Sequence, residues 1–169
     1  MYTKMGSGML IDNVNLVDIP EGCLKKVFQY WSSKKGDRLM PSRSDLKPEE
    51  FHRLLPQVVL VDVEMDPVRY RARLVGTKVV EAIGQDFTGL YFDSFPDIGF
   101  LVDRFNSLVR TRRPYLVNDN VQWPEKSFLE YYGLALPLSD NGRDVNIILL
   151  GMYYPIQDHK GSESLTARV

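Results

Sequence analysis

Residues 143–154, RDVNIILLGMYY, constrain the fold more than any other segment because they are apolar on both faces. An extended chain points successive side chains to opposite sides. Here Val145, Ile147 and Leu149 fall on one side, and Ile148, Leu150 and Met152 fall on the other. Such a strand is expected in a sheet that is covered on both faces.

The same strand has neighbours in sequence that favour antiparallel pairing. Asp140-Asn141-Gly142 separates it from the apolar run 127–138, and Asn-Gly favours a hairpin because its turn residues must accept positive φ. Residues 57–64 and 68–75 alternate around the turn signal Asp66-Pro67 and predict a second hairpin. Residues 114–123 predict a fifth, shorter strand.

Helical patterns occupy the remaining segments. The first helix is predicted to begin near Pro20 and to end at Gly36, with an apolar stripe of Leu24, Val27, Phe28 and Trp31. A short helix follows at 48–55, and short helical turns are predicted within 77–95. Residues 96–113 carry the longest stripe: Ile98, Leu101, Val102, Phe105, Leu108 and Val109.

These elements predict an α+β domain with a five-stranded antiparallel sheet. The middle helices lie on the inner face, and the N-terminal helices pack on the outer face, although a partner chain is the other candidate cover. Residues 1–18 are expected to form a flexible N-terminal arm, residues 19–156 a single domain, and residues 157–169 a flexible tail.

Composition narrows the class of protein. The 169 residues include 44% hydrophobic and 25% charged residues and carry a net charge of −1. This balance gives no reason to expect nucleic acid or a membrane as partner. The single cysteine, Cys23, cannot form an internal disulfide, and the two histidines leave few ligands for a metal site. We expect a cytoplasmic protein.

The element order, with several short motifs, resembles the small stand-alone bacterial proteins of the PAS-like family. The motifs are Tyr30-Trp31; Pro41, Arg43, Asp45 and Pro48; residues 73–77; Gly84, Asp86, Thr88 and Gly89; and residues 136–142. The resemblance covers about residues 20–155. It implies a sensory or regulatory module that binds a small ligand or a protein partner, is not an enzyme, and acts on an unknown signalling partner.

The resemblance also implies where a ligand would bind, because PAS cavities lie between the inner sheet face and the middle helices. Mainly apolar pockets with a few polar groups are the usual ligand sites. The candidate ligand-binding residues are Tyr70, Leu74, Val79, Ile83, Phe92, Phe95, Phe105, Leu108, Tyr115, Tyr131 and Met152. The ligand itself is unknown. Heme and flavin are not expected, because His52 and Cys23 lie outside the middle segment.

Several polar residues can be interpreted either as structural or as part of a binding site. Arg69, Arg71 and Arg73 form a period-two stripe that Asp62 and Glu64 could neutralise across the hairpin, or they form an anion or partner site, with Arg73 expected to be the most buried. Trp31, Arg43 and Asp45 are candidates for structural bracing or partner contact. Residues 84–89 lack the lysine of a phosphate-binding loop, so a loop with positive φ at its glycines is favoured.

Two other functions stay open at this point. A structural dimerisation module without ligand would use the outer sheet face and the first helix to form a homodimer. A small enzyme of unknown chemistry would use Arg73, Asp86 and tyrosines around a pocket, although no catalytic set is visible in the sequence.

Overall fold

The computed structural model describes residues 2–3, 8–121 and 129–155. In this part of the chain seven strands form one antiparallel sheet in the order β1-β2-β5-β6-β7-β3-β4. The strands are β1 (Tyr2–Thr3), β2 (Met9–Asp12), β3 (Val58–Glu64), β4 (Arg69–Val75), β5 (Tyr115–Asn120), β6 (Glu130–Leu138) and β7 (Ile147–Tyr153). The α+β class and the antiparallel sheet are confirmed, and β3–β7 are the five predicted strands. The two additional strands widen the sheet.

Strand β2 lies within residues 1–18, where the sequence predicts a flexible arm. It pairs with β5 from Met9 opposite Asn118 to Asp12 opposite Tyr115. Without it, β5 would be an edge strand with unpaired N–H and C=O groups. Four residues are too few to show a period, and their stability comes from a distant strand, so the sequence pattern missed them. The predicted tail, 157–169, lies outside the described residues.

Four α-helices are described: α1 (Cys23–Lys35), α2 (Pro48–Phe51), α3 (Thr77–Ile83) and α4 (Gly99–Thr111). Helix α1 begins three residues after Pro20 and ends at Gly36, whose φ of 55° suits glycine. Helix α4 ends at Arg112, which takes the left-handed conformation and donates its backbone N–H to Leu108. Pro114 follows, so the helix cannot continue.

The sheet separates two hydrophobic cores. On the outer face, Leu24, Val27 and Trp31 of α1 pack with residues of the central strands, among them Leu134, Leu136, Leu138, Ile147 and Leu149. The prediction that the N-terminal helices cover this face is confirmed. Gly151 of β7 lets α1 approach closely, because an added Cβ there would lie 2.9 Å from Cδ2 of Leu24.

The inner face carries α3, α4 and the segment between them. Val59, Val61 and Val63 of β3 pack here with Phe105 and Leu108 of α4. All five side chains are buried. The predicted stripe of α4 therefore faces the sheet, and the inner layer is the place where a cavity can form.

A β-bulge in the first hairpin changes which face one residue occupies. Leu60 pairs with Leu74, but Val61 pairs with Ala72, which leaves Arg73 as the extra residue. Tyr70 and Ala72 belong to the inner core, whereas Leu74 packs against the outer core. The strict alternation predicted for 68–75 is wrong at this point, because a bulge shifts all later side chains by one position.

The second hairpin also differs from the prediction. Its strand β7 begins at Ile147 rather than at residue 143, so the loop is longer than an Asn-Gly turn. The side-chain oxygen of Asn141 accepts hydrogen bonds from the backbone N–H groups of Arg143 and Asp144. Val145 packs in the inner core instead of sharing a face with Ile147. Local side-chain bonds to the backbone thus hold the wider loop.

Candidate functional site

An apolar cavity lies between the inner face of the sheet and the α3–α4 region. Its volume is about 130 Å³, and it is partly open to solvent. The walls come from four strands, α3, α4 and the loops next to them. The lining residues are Val59, Val79, Ile83, Phe87, Phe92, Phe95, Ile98, Phe100, Leu101, Tyr115, Val117, Val121, Tyr131, Gly133, Leu150, Met152 and Tyr154.

Seven of the predicted ligand-binding residues line this cavity: Val79, Ile83, Phe92, Phe95, Tyr115, Tyr131 and Met152. Tyr70, Phe105 and Leu108 are buried in the same inner core but do not line it. Phe105 instead packs between rings, with its centroid 5.4 Å from Phe92 and 5.1 Å from Tyr70. Leu74 was placed wrongly, because the bulge turns it to the outer core.

Several lining residues were not among the predicted candidates. Ile98 and Leu101 belong to the apolar stripe of α4, so the sequence held a signal for them. The sequence held no such signal for the other three. Phe87 lies in a loop, Phe100 lies in α4 but off its apolar stripe, and Tyr154 follows the last strand. Gly133 also lines the cavity, and an added Cβ there would lie 3.2 Å from Val117 and 3.4 Å from Tyr131.

A buried polar cluster, formed by Arg104, Asp119 and Tyr131, lies beside the cavity. Arg104 and Asp119 are only 4% and 7% exposed, and an Nη2–Oδ2 distance of 3.3 Å joins them. Nη1 of Arg104 donates a 3.2 Å hydrogen bond to the hydroxyl of Tyr131, which lines the cavity. The guanidinium also lies 5.0 Å from the ring centroid of Phe100. The sequence pattern does not reveal this cluster, because Arg and Asp side chains are usually exposed.

The tyrosines of the cavity wall remain protonated over the ordinary pH range. Burial raises the pKa of Tyr115 and Tyr154 above their ordinary value. Burial also raises the pKa of Tyr131, although the neighbouring Arg104 acts in the opposite direction. These hydroxyls therefore act as hydrogen-bond donors and acceptors rather than as bases.

Comparison with known families agrees with this architecture. The family model described as PAS domain matches residues 21–99, which is slightly less than half of the chain. The matched part runs from the start of α1 to the first residue of α4. Residues 21–99 are therefore similar to a PAS domain, and the α+β fold with its antiparallel sheet is consistent with a PAS-like fold. Strands β5–β7, which complete the sheet and the cavity, follow the matched part. No curated protein matches the chain.

The arginine stripe of β4, formed by Arg69, Arg71 and Arg73, is neutralised by acidic residues. Asp62 accepts hydrogen bonds from Arg71 at 3.1 Å and from Arg73 at 3.3 Å, so the predicted pairing across the hairpin is confirmed for Asp62. Arg69 binds Asp93 through two hydrogen bonds. Arg73 is not the most buried of the three: its side chain is 54% exposed, because the bulge turns it outwards.

The segment before α2 is braced by Asp45. Its Oδ2 accepts hydrogen bonds from the backbone N–H of Ser42 at 2.8 Å and from Nη2 of Arg38 at 2.9 Å. The hydrogen bond from the backbone N–H of Ser42 is the largest of the effects that lower the pKa of Asp45. Arg43 instead donates to the carbonyl oxygen of Leu46. The contacts of Arg43 and Asp45 in this structure are therefore local ones.

The glycine-bounded loop after α3 has the predicted geometry. Gly84 and Gly89 take φ values of 84° and 86°. Between them, Oδ1 of Asp86 accepts hydrogen bonds from the backbone N–H and the hydroxyl of Thr88. This turn positions Phe87 at the cavity wall.

The remaining candidates lie on the other side of the sheet. Cys23 begins α1 and packs against the outer core. Ring nitrogen Nδ1 of His52 lies 3.2 Å from the carbonyl oxygen of Glu49 at the end of α2. Among the described residues, no three or more His, Cys, Asp or Glu side chains are grouped as metal ligands, and no described helix is long and apolar enough to cross a membrane.

Proposed function

We propose that this PAS-like domain is a non-catalytic sensory module that binds a small apolar molecule in the inner cavity. The observation that carries the proposal is the cavity itself, about 130 Å³ with walls of aromatic and aliphatic side chains. An apolar cavity of about 150 Å³ is large enough for a benzene-sized guest. Binding would remove the apolar surface of the guest from water.

The charges next to the cavity support a binding role. Nη1 and Nη2 of Arg104 are engaged by Tyr131 and Asp119, so the buried cation is paired within the protein, although its Nε has no partner among the described residues. The tyrosine hydroxyls hold their protons because burial raises the pKa of each. These groups suit the recognition of a neutral guest better than acid–base chemistry.

Strand β7 offers a route from the cavity to the opposite face. Leu150 and Met152 line the cavity, and Gly151 between them lies against Leu24 and Val27 of α1. Because Gly151 has no side chain, a shift of β7 on ligand binding would act directly on α1. We propose that α1 is the element whose position reports occupancy to a signalling partner.

The apolar stripe of α1, on which the homodimer alternative depends, is not exposed. Leu24, Val27 and Trp31, the apolar stripe of α1, are buried against the sheet of the same chain. A homodimer and a cytoplasmic location both stay predictions. Light scattering over a range of concentrations measures the oligomeric state.

Toluene is a suitable probe for the proposed cavity site. Titration of the ¹⁵N-labelled chain with toluene should shift amide signals of α3, α4 and β7, and the shifts should extend into α1. Leu101→Phe fills the cavity and should abolish them. Leu54→Phe is the matched control, because Leu54 is also half-buried but packs against the outer core.

Two results would overturn the proposal. One is the absence of any shift up to the solubility limit of toluene. The other is a set of shifts that survives Leu101→Phe unchanged, since the probe would then bind outside the cavity. Thermal unfolding of both variants shows that they are folded during the titration.

A further inference from the structure

One side of the cavity is closed by a single stretch of chain. Residues 84–97, which we call the wall segment, connect α3 to α4 and contribute Phe87, Phe92 and Phe95 to the cavity lining. Other residues of the same segment, such as Thr88 and Ser94, are exposed. One layer of chain therefore separates the cavity from water here, and its displacement would open a path into the cavity.

Both ends of the wall segment have a left-handed backbone. Gly84, directly after α3, has a φ of 84°, and Asp97, two residues before α4, has a φ of 58°. Glycine adopts this conformation without steric cost, whereas it is uncommon for other residues. Hinges are typically a few loop residues at the ends of helices or strands, where the backbone angles can change. The two ends of the wall segment are placed to act in this way.

Between these ends, the wall segment is attached to β4 by backbone contacts. The N–H of Gly89 donates to the carbonyl oxygen of Ala72 at 2.6 Å, and the N–H of Ala72 donates to the carbonyl oxygen of Leu90 at 2.9 Å. Arg71 and Tyr91 form an isolated antiparallel bridge. Strand β4 is the last strand of the sheet, so these bonds use its free edge. Their release would leave the pairing of β4 with β3 intact.

Side chains around Arg69 hold the same attachment together. Its guanidinium donates hydrogen bonds to Asp93 at 2.8 and 3.0 Å and lies 3.6 Å from the ring centroid of Tyr91. The hydroxyl of Tyr91 in turn donates to Glu64 at 3.1 Å. The side chains of Arg69 and Asp93 are 39% and 51% exposed. Exposed ion pairs and exposed cation–π contacts are weak, so this attachment can open and close again while the domain stays folded.

We propose that the wall segment is a gate through which the guest enters the cavity, and that Arg69 is the residue that holds the gate closed against β4. This inference rests on the proposed function and adds the control of access to the same site. Arg69 does not line the cavity. It therefore sets the rates at which a guest enters and leaves, and has little effect on the affinity of the closed site.

Amide hydrogen exchange of the ligand-free chain tests the role of Arg69. Arg69→Met keeps an unbranched side chain but removes one exposed ion pair and one cation–π contact, so exchange at Gly89 and Ala72 should become about three- to thirtyfold faster. Arg73→Met is the matched control, because Arg73 is an exposed arginine of the same strand that pairs with Asp62 of β3. It should leave both rates nearly unchanged. Equal acceleration in the two variants would overturn the role of Arg69.

A disulfide across the attachment tests the gate itself. In a Cys23→Ser background, Arg71→Cys with Tyr91→Cys places two thiols at opposed positions of an antiparallel bridge, a Cα separation that a disulfide can span. NMR exchange spectroscopy then measures the binding and release rates of toluene. Both rates should be about tenfold or more slower in the oxidised form than after reduction, with a similar Kd. Arg69→Met, in contrast, should raise both rates.

The other outcomes distinguish this inference from the proposed function. Rates that are equal in the oxidised and reduced forms overturn the gate, because toluene then enters by another route, but they leave the binding site in place. A change in Kd as large as the change in rates also overturns it, since the disulfide would then alter the cavity rather than the access to it. Failure of toluene to bind the unaltered chain removes the proposed function together with the gate. Thermal unfolding shows that each variant is folded during these measurements.

Discussion

The indole N–H of Trp31 donates a 2.9 Å hydrogen bond to the carbonyl oxygen of Pro137, and both groups are buried. The bond joins α1 to β6 across 106 residues of sequence. It adds a directional contact to the apolar packing between α1 and the outer face of the sheet. Because hydrophobic contacts are not directional, this bond helps to fix how α1 lies on the sheet.

Trp31→Phe should therefore destabilise the domain. The carbonyl of Pro137 would be left without its buried donor, a loss of about 1–3 kcal/mol in the free energy of unfolding, and the smaller ring would add a packing loss. Tyr30→Phe is the control: its hydroxyl donates to Glu50 at 2.7 Å and accepts from the backbone N–H of Lys47 at 2.9 Å, but both bonds are exposed, so their loss should cost less than that of the buried Trp31 bond. Urea unfolding measures both, and equal losses would contradict the assigned role of the Trp31 bond.

Arg104 and Asp119 should show strong coupling in a double-mutant cycle. Asp119→Leu leaves a buried guanidinium without its carboxylate and should cost about 3–5 kcal/mol in the free energy of unfolding. The pair Arg104→Met with Asp119→Leu removes both charges and should recover most of that loss. Additive losses in the two single variants and the double variant would show that the pair is not a unit.

Two glycines should respond in opposite ways to alanine. At Gly76 an added Cβ would lie well inside contact distance of the carbonyl oxygens of Leu55 and Pro56, which are backbone atoms and cannot turn aside. We expect Gly76→Ala to cost about 1–3 kcal/mol or more. At Gly99, the first residue of α4, an added Cβ meets no atom within 4 Å, so Gly99→Ala should stabilise the domain by about 0.5–1 kcal/mol. Thermal unfolding of the two variants tests both signs.

The hydrogen bonds to Asp45 should make stability depend on acid pH. They lower the pKa of this carboxyl in the folded chain below the unfolded value of about 3.9. Its contribution is therefore fully present above the unfolded pKa and is lost as the pH falls through the folded pKa. Asp45→Asn keeps an oxygen acceptor but removes the charge, so it should cost up to about 1 kcal/mol near pH 7 and progressively less below about pH 4.

Unfolding in urea at pH 7, 4 and 3 checks the Asp45 prediction. Asp37→Asn, an exposed change outside the segment that Asp45 braces, controls for loss of a negative charge on this surface. A difference between the unaltered chain and Asp45→Asn that stays constant down to pH 3 would show that the hydrogen bonds do not favour the charged carboxylate.

Most of the secondary structure could be predicted from local patterns. The alternation in 57–64, the stripe of α4 and the glycines at 36, 84 and 89 each depend on residues close in sequence, and the structure places them as predicted. The pattern could not reveal strand β2, whose stability comes from pairing with β5 about a hundred residues away. Nor could it place the bulge at Arg73, because the register belongs to a pair of strands rather than to one.

Local side-chain polarity was enough to predict an antiparallel sheet covered on both faces, because polarity at fixed spacing sets which faces must leave water. The three-dimensional packing was needed to show that Arg104 lies beside the cavity with Asp119 and Tyr131, that Leu74 turns to the outer core, and that Tyr154 lines the cavity. These positions arise from the register of paired strands and from the packing of α4 on the sheet. Both depend on contacts between residues far apart in the chain, to which a local pattern is insensitive.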